Sequence, residues 1–363
     1  MADDATAPAP PVEIETAGLD DETAARFKEA AQSGARVFAG VATQYGAELP
    51  ELRIIGTFDF QGTVDALLRE VHGPDQPAYT TERLGGTAVG KTIPLDEDHN
   101  RVAIVMSAYG WASAAGRPGL GVGQFLLSHE LTHAVLERVR IASGALEGVT
   151  FPSETPVAAA RSITRIAVDE TRADKVADVV LSLTSTKTVD GEQSPLHITD
   201  DALLGPTLYR ERLAELLTTT VWPGWRDLVN RYRNGGRTLE ELMRELVGQT
   251  DQVMTTLGHA EGERQCTPDN LELFLPPAAG QPGAGWLIGR AWEAILDVSL
   301  TLPLMPSVSE FKAAELAILD AGENELFAMW ERLGVTFDPA RPSAHPYEIK
   351  VREPEEPPEP AKA

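Results

Sequence analysis

The chain has 363 residues, 31 basic and 55 acidic side chains, a formal net charge of −24 and one cysteine, Cys266. This length buries a sizeable core unaided, and a single cysteine excludes both an internal disulfide framework and a cysteine-ligated zinc or iron–sulfur site. So acidic a chain repels phosphate backbones and anionic bilayers, which argues against nucleic acid and membrane surfaces as partners.

Residues 1–19, rich in Ala, Pro and acid, predict a disordered arm. They hold no apolar run of the secretory kind, and no uncharged stretch is long enough to span a bilayer, so the expected location is the cytoplasm. Residues 20–46 predict a helix with Phe27, Ala31, Val37 and Val41 facing inward. LRIIGTFDF, residues 52–60, predicts a strand; 64–71 predicts a short helix, and 79–95 two weak strands around Gly85-Gly86. RVAIVMSA, residues 101–108, is the strongest strand signal. The glycine-rich residues 109–123 fit neither the dinucleotide nor the P-loop spacing and read as a connection. The rest looks helical: 124–141, 155–183, then, after a polar loop over 184–199, 200–221, 238–257, 286–300 and 307–333. Residues 264–285 form a Pro/Gly-rich excursion between two of these helices. The expected fold class is α+β. A domain over 20–185 carries a small N-terminal sheet and the active-site helices, a mostly helical region or subdomain follows over 200–335, and 336–363 form an acidic, Pro-rich tail.

Chemistry concentrates in His129-Glu130-Leu131-Thr132-His133. Residues four apart share one helix face, so two imidazoles at this spacing reach one metal ion. Glu130, offset around the helix, stands where a general base would take a proton from a water at the ion's open position. The motif lies in an amphipathic stretch, QFLLSHELTHAVLERV, with Phe125, Leu131, Val135 and Leu136 available to the core. A catalytic zinc needs a third protein ligand. Continuation of the same helix by Gly and His is excluded, because Leu136 and Val139 stand there. A later helix offers Glu170-Thr171-Arg172-Ala173-Asp174, in which Glu170 and Asp174 share a face and Ala173 and Ala177 permit close approach. Glu170 then ligates the metal, and Asp174 accepts the N–H of a ligating histidine.

With HELTHAV and the following E-x-x-A-D run, the chain resembles the gluzincins, zinc peptidases defined by HExxH and a downstream glutamate. The resemblance covers roughly residues 100–183. It implies a zincin-like fold for the first domain, one catalytic Zn2+, His129, His133 and Glu170 as ligands, Glu130 as general base and acid, and Asp174 behind a ligand. It also implies a group that stabilises the oxyanion, for which His197, Tyr209, Arg210, His259 and Tyr347 are candidates and His259 the first choice. In such folds the strand before the active helix serves as an edge for an extended substrate, which points to Val102, Ile104 and Met106.

The expected function is therefore hydrolysis of peptide bonds in a peptide or protein substrate, as an endopeptidase by family habit. The alternative is a zinc-binding, weakly catalytic or non-catalytic zincin-fold protein with a regulatory protein partner.

Overall fold

The structure is a computed structural model that describes residues 11–83, 86–111, 119–145, 155–189, 192–198, 200, 208–266, 282–337 and 349–357. The chain mixes helix and strand, with helices predominating. It divides into two compact units: Met1–Leu146, Arg172–Pro206 and Leu304–Lys312 form the first; Glu147–Thr171, Thr207–Pro303 and Ala313–Ala363 form the second.

The first unit begins with β1 (Val12–Ala17), α1 (Asp21–Gln44), β2 (Glu51–Thr57) and α2 (Phe60–His72). A small ribbon, β3 (Glu82–Arg83) with β4 (Gly86–Thr87), precedes β5 (Gly90–Pro94) and β6 (Arg101–Ser107). Then come α3 (Gly119–Ala142) and the second half of α4 (Pro156–Thr184), which runs continuously through the boundary between the units. A hairpin of β7 (Thr186–Val189) and β8 (Glu192–Pro195) follows.

Four strands form one sheet in the order β1-β2-β6-β5, with β1, β2 and β6 parallel and β5 antiparallel to β6. Alternate residues of β2 and β6 go to opposite faces. Leu52, Ile54, Val102, Ile104 and Met106 join Phe27 and Phe38 of α1 and Leu127, Leu131 and Val135 of α3. Ile55, Ala103 and Val105 join Phe60, Val64 and Leu67 of α2. Each such fully buried large side chain contributes about 1.5–3 kcal/mol.

This arrangement corrects the edge-strand expectation. Val102, Ile104 and Met106 lie on β6, which pairs with β2 on one side and β5 on the other. The unbroken apolar run RVAIVMS marks a strand covered on both faces and therefore interior. The edge is β5, which carries the edge features of a lysine and a proline, Lys91 and Pro94.

Three further differences have local causes. Val12–Ala17 pairs with β2, so the expected arm holds a strand, whose VEIETA alternation puts Val12 and Ile14 against the core. Helix α3 starts at Gly119, inside the glycine-rich stretch. A Cβ on Gly123 would sit 2.6 Å from the Trp111 ring, so glycine there serves close packing. Ile349–Val351, within the expected tail, pairs with Val335–Phe337. Residues 1–10, 338–348 and 358–363 of the expected arm and tail lie outside the described residues.

The second unit holds the first half of α4, then α5 (Leu208–Leu216), α6 (Trp225–Arg233), α7 (Leu239–Cys266), α8 (Pro282–Ala284) and α9 (Arg290–Leu300). It ends with the larger part of α10 (Val308–Arg332) and the ribbon of β9 (Val335–Phe337) and β10 (Ile349–Val351). Its core gathers Trp225, Leu246, Met254, Ile295 and Trp330, and the Trp330 indole donates to Thr250 Oγ1 at 3.3 Å. Helix α7 opens with a reciprocal cap: Thr238 N donates to Glu241 Oε2 at 2.8 Å and Glu241 N to Thr238 Oγ1 at 3.2 Å.

Candidate metal centre

Helix α3 is rotated by its core face. Leu127, Leu131, Ala134 and Val135 are buried against α1 and the sheet, which places His129 and His133 together on another face, one turn apart. Their Nε2 atoms face each other at 3.0 Å. His129 is 8% exposed and Glu130 9%. Burial of two imidazoles and a carboxylate on adjoining positions costs free energy unless each is held by a partner.

The partners are visible. His129 Nδ1 lies 2.8 Å from Oδ1 of Asp174, which is itself 3% exposed. A carboxylate only accepts, so Nδ1 carries the proton and the Nε2 lone pair points at His133. Glu130 Oε2 accepts from the Thr92 hydroxyl at 2.6 Å. A Cβ on Gly90 would lie 2.5 Å from Glu130 Oε1, so the Glu130 carboxylate lies against the backbone of β5. Sequence reasoning missed Thr92 and Gly90; the available signal was a glycine in a short strand, which marks a close approach.

Glu170 precedes Asp174 by four residues of the continuous α4, so the helix itself puts the two carboxylates on one face. One ligand atom each of His129, His133 and Glu170 comes within 4.8 Å of the others, a cluster able to hold a metal ion. The donor set fits a zinc-type cation: two neutral imidazole nitrogens and one carboxylate oxygen are the ligands of an open catalytic site. Two imidazole nitrogens bound to one tetrahedral zinc stand about 3.3 Å apart, close to the 3.0 Å found here.

Of the oxyanion candidates, His259 lies on α7 with Nε2 3.5 Å from Glu170 Oε2, and its ring stacks on Tyr209 at 4.6 Å and 7°. His197 follows the β7–β8 hairpin, its Nδ1 2.9 Å from Oδ2 of Asp178, whose Oδ1 accepts from Ile198 N at 2.8 Å. Tyr347 and the Arg210 side chain lie outside the described residues. Val102, Ile104 and Met106 are buried in the sheet interior and offer no edge.

Among the described residues, no helix is long and apolar enough to cross a membrane. Compared with protein-family models, curated protein sequences and solved structures, the chain matches none of them.

Proposed function

We propose that this chain is a zinc-dependent peptidase of the HExxH-plus-glutamate type, with a zincin-like first domain. The observation that carries the reading is the convergence of His129 Nε2, His133 Nε2 and a Glu170 carboxylate oxygen, with Asp174 fixing the His129 tautomer. A zinc ion at these ligands supplies Lewis acidity for a carbonyl oxygen and lowers the pKa of water toward about 7.

The remaining work falls to the chain's own residues. Glu130 is the base that takes a proton from water and returns it to the leaving amine. Thr92 occupies Oε2 of Glu130, which leaves Oε1 to carry that proton. Gly90 lets the carboxylate lie against β5. An extended peptide fits as the substrate class, added in register to the open edge of β5. Ser107 N donates to Val89 O and Leu95 N to Arg101 O, so the odd-numbered positions of β5 face β6. The N–H groups of Gly90 and Thr92 point away from β6, where a substrate strand would pair.

The test is turnover of a quenched peptide library by the zinc-loaded protein and its Glu130→Gln variant. Cleavage by the wild type, lost in Glu130→Gln at unchanged zinc content, supports the peptidase. Equal zinc in both with no cleavage by either supports the alternative, a zinc-holding regulatory protein.

A further inference from the structure

Glu170 is gripped by its own unit. His259 Nε2 lies 3.5 Å from Glu170 Oε2, and the side chains of both residues are largely buried, 19% and 16% exposed. The His259 imidazole is backed by the Tyr209 ring of α5, nearly parallel at a centroid distance of 4.6 Å. Helices α4 and α7 are fastened beside this contact. Thr171 Oγ1 donates to Gly258 O at 2.9 Å, and a Cβ on Gly258 would lie 2.2 Å from Ala167 O. Only glycine at 258 lets α7 come this close to α4. The residues flanking the contact in sequence, Thr171 after Glu170 and Gly258 before His259, are thus locked to each other.

We propose that His259 is a positioning residue for Glu170, with Tyr209 as its backing ring, and not an oxyanion group. The proposal rests on the reading of Glu170 as a metal ligand. A ligating carboxylate on a side chain with three rotatable bonds loses affinity to rotamer freedom unless an outer partner holds it. The imidazole N–H facing Oε2 fixes the plane of the carboxylate, and the stacked Tyr209 keeps the imidazole from turning away. The helical unit then has a chemical task at the centre: it aims the third ligand.

The experiment measures Zn2+ affinity by competition with a chromophoric chelator, and the visible absorption bands of the Co2+-loaded protein, for wild type, His259→Ala, His259→Gln and Glu170→Ala. Expected is a loss of about 10–100-fold in Zn2+ affinity for His259→Ala, with shifted Co2+ bands and an unchanged unfolding temperature of the metal-free protein. His259→Gln, whose amide nitrogen falls near the imidazole Nε2, recovers most of the affinity. Wild-type affinity and bands in His259→Ala overturn the proposal, as does a loss in His259→Gln equal to that in His259→Ala. Turnover lost in His259→Ala at unchanged affinity restores the oxyanion role and also overturns it. Glu170→Ala separates the two levels: wild-type affinity there overturns the metal reading and this proposal together. Loss in Glu170→Ala with none in His259→Ala overturns the positioning role alone.

Discussion

His129 Nδ1 and Asp174 Oδ1 stand 2.8 Å apart across 45 residues of sequence, joining the active helix to α4. That bond decides which imidazole nitrogen is available. With Nδ1 protonated toward Asp174, Nε2 turns its lone pair to the space it shares with His133 Nε2. The same bond fixes the rotation of α4 about its axis, and through it the face that carries Glu170.

Replacing Asp174 with Asn keeps the volume and removes the charge. An amide nitrogen facing Nδ1 favours the other tautomer, with the proton on Nε2. Zinc affinity of Asp174→Asn is expected to fall by about 10–100-fold, read by chelator competition, while circular dichroism stays that of wild type.

Gly90→Ala tests the placement of the base. The new methyl would lie 2.5 Å from Glu130 Oε1 and displace the carboxylate. A displacement of about 1 Å costs on the order of 100-fold in turnover. Zinc content is expected to remain at the wild-type level, since Gly90 touches Glu130 and not the ligand set.

Hydrogen exchange tests the corrected edge. In the free protein, amides of β6 are protected by partners on both sides. A non-hydrolysable peptide is expected to slow exchange at Gly90 and Thr92 and to leave β6 unchanged. Added protection in β6 without any in β5 would refute edge pairing.

Ile104→Ala tests the sheet as the platform of the centre. Ile104 is fully buried on the α1/α3 face of β6. Truncation is expected to cost about 2–5 kcal/mol, measured by urea unfolding of the metal-free protein.

Acid sensitivity follows from the helix caps. Hydrogen bonds from Thr238 hold the Glu241 carboxyl below its ordinary value of 4.5, and bonds from Ser307 do the same for Glu310. A carboxyl lowered on folding stabilises the folded state above its unfolded value, and that stabilisation is lost as pH falls through the folded value. The double variant Glu241→Gln/Glu310→Gln is therefore expected to unfold at a lower temperature than wild type at pH 7. The difference should shrink below pH 4.5 and vanish once both carboxyls of the wild type are protonated.

The sequence made some features legible and hid others. The metal cluster was legible because helical spacing is local: His129 and His133, and likewise Glu170 and Asp174, are placed by 3.6 residues per turn before any tertiary packing is known. The edge was misread because strand order is not local. The apolar run of β6 in fact announced burial on both faces, whereas the polar, proline-ended GKTIP of β5 announced the rim. Thr92 and Gly90 were missed for the same reason: their partner Glu130 is brought to them by the antiparallel pairing of β5 with β6 and the packing of α3. β1 was hidden by composition, since the flanking acid and proline outweighed a short VEIETA alternation. His259 was chosen as a candidate from its place after a helical stretch, but only the tertiary structure sets its ring against Tyr209 and Glu170.

The most direct measurement of the central claim is metal content by plasma mass spectrometry after equilibrium dialysis against Zn2+, on wild type and on His129→Ala, His133→Ala and Glu170→Ala. The account predicts one zinc per wild-type chain, bound at nanomolar free zinc or below and lost or strongly weakened in each of the three variants. A wild type that retains no zinc, or variants that retain as much as wild type, would contradict it.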